Sequence, residues 1–251
     1  MSFERIETLN DKVVVITGYM GGMGKAIGKR LAVRGATIVG IIRRDLSNAQ
    51  TELDTLGKNN LAINASIDDS LALNTARDIV REQYGKCDIL INTASISKTI
   101  KHQNLNDLSD DFFDEIMRVN VRGTYATIRA FAPLLIESAD GLIVNITSTA
   151  GVRTGGSNIA YAASKAATDS MTRNLAKSLA PKVRVISVAP GAVDTNFLEN
   201  RSAEFFNKYA KLTPLNRIGM VDDVASTIEA CATSMRFMTG NCIVIDGGKS
   251  L

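Results

Sequence analysis

Ser148, Tyr161 and Lys165 are three side chains of complementary chemistry in one stretch of the sequence. Tyr161 and Lys165 are four residues apart at the start of a strongly helical segment, so the phenol and the ammonium share one helix face. A tyrosine ordinarily ionises near pH 10. A cation held beside it favours the phenolate and brings the group toward the range where it can exchange a proton with an alcohol or a carbonyl. Ser148 follows the β-branched run Ile143-Val144-Asn145-Ile146-Thr147. A hydroxyl leaving the carboxyl end of a parallel strand lies where such sheets bind ligands, so Ser148 reads as a hydrogen-bond donor to the reacting oxygen.

A second constellation, Thr17-Gly18-Tyr19-Met20-Gly21-Gly22-Met23-Gly24, joins a β-branched run to a helix beginning near Lys25. In such a strand-to-helix turn Gly18 permits the tight reversal, Gly22 lets the backbone approach a pyrophosphate and Gly24 allows close helix-to-strand packing. The unpaired N–H groups of the helix N-terminus face the anion. Met20 and Met23 lie between these glycines and belong to the same candidate contact. The glycine spacing differs from G-x-G-x-x-G. The next β-branched run ends in Ile41-Ile42-Arg43-Arg44-Asp45. A fold preferring NAD places an acidic residue there for the ribose hydroxyls. Two guanidinium groups after an apolar strand end suit a 2′-phosphate instead, because arginine offers a forked pair of hydrogen bonds. The expected cofactor is NADP(H), with NAD(H) as the alternative, since Asp45 is within reach of a ribose.

Elements positioning these residues are legible as alternation. Strands are expected at Lys12–Thr17, Thr37–Ile42, Asn60–Ala65, Asp88–Asn92, Leu142–Thr147, Val183–Ala189 and Cys242–Asp246, with helices near 22–34, 46–57, 69–84, 110–138, 157–180 and 221–234. Alternating strands and helices imply right-handed crossovers and a parallel sheet covered on both faces. The expectation is one doubly wound α/β domain of the Rossmann type with a seven-stranded parallel sheet. The irregular stretch 191–219, with Phe197, Leu198, Phe205, Phe206 and Tyr209, reads as a small helical substrate lid.

A hydrophobic fraction of 45% with 22% charged residues excludes a disordered chain, and no apolar run is long enough to span a bilayer. The N-terminus mixes charge signs and lacks the apolar core of a secretory signal, which leads us to expect a cytoplasmic protein. Net charge is only +3, scattered, with no tryptophan, so nucleic-acid binding has no support. Three cysteines without a Cys-x-x-Cys pair, and a single histidine, argue against a disulfide framework and a structural zinc site. His102 lies in a polar loop and reads as solvent-exposed. Arg153 reads as a surface residue or as a contact for a substrate anion.

These motifs resemble the short-chain dehydrogenase/reductase family, among its members the 3-oxoacyl thioester reductases, along nearly the whole chain. The matches are Gly18-x-x-x-Gly22-x-Gly24, Asn92 and Ala94 after the fourth strand, Asn120, Ser148, Tyr161 with Lys165, Pro190-Gly191, and Thr239-Gly240 leading to Asp246-Gly247-Gly248. The resemblance implies hydride transfer between a nicotinamide and a carbonyl or secondary alcohol, with Tyr161 as general acid or base. It implies that Ser148 orients the carbonyl, that Lys165 also holds the nicotinamide ribose, and that Asn120 interrupts its helix and holds a water in a proton relay. Ser66, Ile67, Asn92, Ala94, Pro190, Gly191, Val193 and Thr195 are the further cofactor contacts it implies. It also implies a homotetramer or homodimer built through the helices near 110–138 and 157–180. Three positions depart from the family pattern: Asn92-Thr93-Ala94-Ser95 replaces Asn-Asn-Ala-Gly, Ser66 stands where an aspartate usually meets the adenine, and Gly21 stands where many NADP users carry a basic residue. A dinucleotide-binding regulatory or scaffold protein without turnover is the alternative.

Overall fold

The computed structural model describes residues 8–57, 59–138, 140–195, 197 and 203–251. Seven strands form one sheet in the order β3-β2-β1-β4-β5-β6-β7, every neighbouring pair parallel. They are β1 (Val13–Thr17), β2 (Thr37–Ile42), β3 (Leu61–Asn64), β4 (Ile89–Asn92), β5 (Gly141–Ile146), β6 (Val183–Pro190) and β7 (Cys242–Ile245). The helices are α1 (Gly22–Val33), α2 (Leu46–Asp54), α3 (Ser70–Tyr84), α4 (Asp110–Ile116), α5 (Thr124–Glu137), α6 (Thr149–Val152), α7 (Ile159–Leu179), α8 (Ala203–Lys211) and α9 (Val221–Thr233). The doubly wound arrangement with seven parallel strands is the one expected. Its chain order reverses between β1 and β4, the switch point at which such sheets open a crevice.

Alternate residues of β1 feed opposite layers. Val14 and Ile16 join α1, α2 and α9 in one core, whereas Val13 and Val15 join α3, α5 and α7 in the other. Strands buried on both faces read as continuous β-branched runs, which is why the sequence pattern located them. Three expected strands, β1, β3 and β4, begin one residue late, and at β3 and β4 the polar side chain left outside is used at the strand's entry. Asn60 accepts from Ile38 N–H and donates to the Leu53 and Gly57 carbonyls, and Asp88 accepts from Val13 N–H and pairs with Lys12.

The expected helix over 110–138 is broken. Between α4 and α5 the backbone runs through a π-helical turn, Met117–Gly123, with Asn120 at its centre. The stretch 191–219 holds α8, and its two ends are clasped: Asp194 N–H donates to the Gly219 carbonyl at 2.9 Å and Gly219 N–H to the Ala192 carbonyl at 3.1 Å. Leu198 and the rest of 198–202, with residue 196, lie outside the described residues.

Tyr19 departs from the small residues around it. Its ring is buried, and a methyl group added to Gly40 or Gly28 would lie 2.9 Å or 2.7 Å from ring atoms. A helical glycine costs about 1 kcal/mol relative to alanine; at Gly28 that cost is the space the ring occupies. Gly40→Val should destabilise the chain by about 1–3 kcal/mol through overpacking. Adding Tyr19→Ala should recover part of that loss, giving a coupling of about 0.5–3 kcal/mol in a double-mutant cycle by denaturant unfolding. Simple additivity would refute the wedge.

Candidate active site

Because all strands are parallel, their carboxyl ends share one side of the sheet, and there a cavity of about 1400 Å³ opens. This exceeds the usual 300–1,000 Å³ of small-ligand pockets and suits two ligands side by side. The turn after β1 contributes Gly18, Met20, Gly22, Met23 and Gly24, and the end of β2 contributes Arg43 and Arg44. Ser66, Ile67 and Ala94 follow β3 and β4, and Ser148 follows β5. Pro190 ends β6 and Gly191, Val193 and Thr195 follow it, and Tyr161 and Lys165 enter from α7. Residues scattered from 18 to 195 thus line one cavity.

The β1–α1 turn fits a phosphate group. Gly18 adopts φ +67°, and a side chain there would drive into the Ala94 backbone at 2.9 Å. At Gly24 an added Cβ would lie 2.6 Å from the Gly18 carbonyl, so the helix can sit this close only with glycine. The N-cap of α1 is Gly21, which supplies no side-chain acceptor, and no acidic residue stands in the first turn. The first N–H groups of α1 therefore present unpaired donors and a positive dipole end to the cavity. Arg43 and Arg44 are exposed, with no ion pair among the described residues. Asp45 does not line the cavity. In left-handed conformation it caps α2, and its carboxylate accepts from Asn48 N–H and Ser47 Oγ.

Lys165 is 4% exposed, its Nζ donates to the Ile146 carbonyl at 2.8 Å, and it lies 5.5 Å from the centre of the Tyr161 ring. Burial pushes its ammonium down to about 8. Ser148 is the N-cap of α6, and its Oγ accepts from Ala150 N–H at 3.2 Å, which leaves its own proton available. Tyr161 is the third residue of α7, and its N–H is taken by the N-cap Asn158 at 2.7 Å. The Phe197 ring stands 6.0 Å from that of Tyr161.

Two candidates lie behind the cavity rather than on its wall. Asn92 is buried, and its Nδ2 donates to Asn145 Oδ1 across the β4–β5 pair. Asn120 spans the gap left by the π turn: its side chain accepts from Ile96 N–H and donates to the Ile96 carbonyl and to Ser164 Oγ. Its geometry holds the loop after β4. Arg153 lines a separate cleft with Asp169, Arg173 and Cys242, so the substrate-anion reading has no geometric basis. His102 is exposed, as expected. Cys87, Cys231 and Cys242 are free thiols, and no metal-binding cluster occurs among the described residues. Residues that the sequence did not assign to the site also line the cavity, among them Ile96, Thr99 and Asp194, together with Thr93 and Ser95, which it marked only as departures from the family pattern. Only their position just after strand ends could have found them.

The buried ammonium has a measurable cost. Folding depresses Lys165 from its ordinary 10.5 to about 8. Between those values the unfolded chain holds a proton that the folded chain has released, so stability rises with pH there, and below pH 8 the full cost of burying the charge is present. Lys165→Met removes this term. From pH 7 to pH 10 the stability of the wild type relative to the variant should improve by on the order of 1–3 kcal/mol in denaturant unfolding. A difference independent of pH would show that the charge is not buried at cost.

A family model described as short chain dehydrogenase matches residues 12–205. The chain is 32% identical over 249 residues to the 3-oxoacyl-[acyl-carrier-protein] reductase of Thermotoga maritima, covering 96% of this chain and 98% of that protein. It is 28% identical over 253 residues to the NAD-dependent glycerol dehydrogenase of Listeria innocua, covering 99% and 98%. A crystal structure of a 3-oxoacyl-[acyl-carrier protein] reductase from Brucella melitensis superposes with a TM-score of 0.87 at 30% identity, covering 98% of this chain and 94% of that one. No helix among the described residues is long and apolar enough to cross a membrane. With its parallel sheet and this match, the chain belongs to the short-chain dehydrogenase/reductase family and is an NAD(P)-dependent oxidoreductase acting on CH–OH or C=O groups.

Proposed function

We propose that the chain is an NADP(H)-dependent carbonyl reductase or secondary-alcohol dehydrogenase in which Tyr161 transfers the proton. The observation that carries this reading is the meeting of Tyr161, Lys165 and Ser148 on the wall of the cavity that the glycine turn opens. When bound, the nicotinamide dinucleotide supplies or accepts the hydride. The first turn of α1 would hold its pyrophosphate and Lys165 the ribose nearest the chemistry. In the reducing direction the phenol of Tyr161 gives its proton to the substrate oxygen, and the Lys165 ammonium stabilises the phenolate left behind. Ser148, whose proton is not used by the cap of α6, donates to the same oxygen and orients it. In this reading the chain acts as one unit, and the described residues of 191–219 that line the cavity serve as its substrate lid. Phe197, Phe205 and Tyr209 on the cavity wall support that role and favour an apolar substrate.

The NADP preference rests on Arg43 and Arg44 lining the cavity while Asp45 is engaged in capping α2. A 2′-phosphate would meet two guanidinium groups, whereas a free ribose hydroxyl would meet no carboxylate on that wall. NADPH should bind more tightly than NADH, and Arg43→Ala should narrow the gap by about 1.5–3 kcal/mol, the worth of a charge-assisted hydrogen bond. Equal affinities for the wild type in titration calorimetry would sink the preference and leave NAD(H).

Tyr161→Phe removes one hydroxyl and leaves the ring and Lys165 in place. Cofactor affinity and melting temperature should survive, while kcat on a carbonyl that the wild type reduces should fall by about 10²–10⁴-fold. Full turnover by this variant would show that the proton comes from elsewhere. Cofactor binding by a wild type that reduces no ketone and oxidises no alcohol would favour the binder without turnover.

A further inference from the structure

The loop after β4 and the first turn of α7 meet at a knot of side chains that the mechanism above does not use. Asn158 is 1% exposed and spends its amide in two directions. Its Oδ1 accepts the Tyr161 N–H at 2.7 Å, and its Nδ2 donates to the Lys98 carbonyl at 2.8 Å and to Ser97 Oγ at 3.2 Å. Beside it Ser97 Oγ bonds to Ser157 Oγ, and Ile100 N–H donates to the Ser157 carbonyl at 2.7 Å. The loop so held contributes Ser95, Ile96 and Thr99 to the cavity. Asn120 grips the same loop one residue earlier, through both backbone groups of Ile96.

We propose that Asn158 is a positioning residue: one buried amide ties the cavity-lining loop 95–99 to the backbone of Tyr161, so that the wall and the phenol keep one relative placement. The inference rests on the assignment of Tyr161 as the proton-transfer residue. An ordinary N-cap needs only an acceptor, and serine or aspartate would serve. Here the amide is used for its donors as well, both N–H groups being satisfied by the loop. With the amide buried, water does not replace either bond when it is lost. Displacement of the loop by a substrate is therefore felt at Tyr161, and a shift of about 1 Å at a reacting group can change rate by 10²-fold.

Two variants separate the halves of the tie. Asn158→Ser keeps a capping oxygen for Tyr161 N–H but is too short to reach Ser97 and Lys98; Asn158→Ala loses both. The serine variant should raise KM for a carbonyl substrate about tenfold with kcat within about threefold of the wild type, and the alanine variant should also lower kcat about tenfold or more. Ser97→Ala should reproduce the KM effect, and combining it with Asn158→Ser should add little, because both remove one link. Hydrogen exchange reads the same tie without turnover: amides of 95–100 should exchange faster in Asn158→Ser while that of Tyr161 stays protected, and both should exchange faster in Asn158→Ala. Unchanged KM and exchange in Asn158→Ser and Ser97→Ala, or additive losses in their combination, would overturn the proposal. Those outcomes leave the activity of the wild type intact, whereas full turnover by Tyr161→Phe would overturn the underlying assignment and leave the exchange result standing.

Discussion

The site depends on how α7 is seated on the sheet, and that seating is polar. Lys165, Asp169 and Thr172 recur at helical spacing on one face of α7, and each is buried with a partner on β5 or β6. Lys165 Nζ donates to the Ile146 carbonyl, Ser187 Oγ donates to Asp169 Oδ1 at 2.6 Å, and Asn145 Nδ2 donates to Thr172 Oγ1 at 2.9 Å. Apolar faces slide past each other at little cost, but a buried donor or acceptor moved off its partner costs about 1–3 kcal/mol. Three such ties along one helix permit one register, and that register carries Tyr161 to the cavity wall. The desolvated ammonium of Lys165 is a costly member of this seam and also the one the proposed chemistry uses.

From that seam the polar interior extends through amides. Asn145 also accepts from Asn92 on the neighbouring strand, so α7, β5 and β4 are bonded in series. Asn120, set in the π turn, joins the loop after β4 to Ser164, and Ser164 Oγ donates in turn to the Tyr161 carbonyl at 2.7 Å. A π turn of this kind exposes side-chain and backbone groups that a regular helix would spend on itself, and such turns recur at functional sites. The asparagines thus act mainly as struts, and the cavity wall is left to Ser148, Tyr161, Lys165 and the glycine turn.

Much of this was legible in the sequence. Strands buried on both faces leave β-branched runs, so Thr37–Ile42 could be read directly and the first strand, read as Lys12–Thr17, to within one residue, and their parallel order put the motif residues at one edge. What escaped reading depended on partners distant in sequence. Asp169 and Thr172 continue the face of Lys165 as a polar stripe that periodicity alone assigns to solvent, yet the structure buries them against Ser187 and Asn145. Asn92 and Asn120 match family motifs, but only the fold shows that they are not among the residues lining the cavity and are bonded instead to Asn145, Ile96 and Ser164. Arg153 sits near Ser148 in sequence, and the turn of α6 directs it to another cleft. The wall residues Ser95, Ile96 and Thr99 carry no chemical signature, because their place follows from the loop that Asn120 and Asn158 hold.

The most direct test of this account is a crystal structure with NADP(H) and a carbonyl or alcohol ligand bound together. The account predicts the ligand oxygen within hydrogen-bonding distance of both the Tyr161 hydroxyl and Ser148 Oγ, with the pyrophosphate against the first turn of α1. A ligand oxygen held by other groups, with Tyr161 turned away from it, would contradict the account.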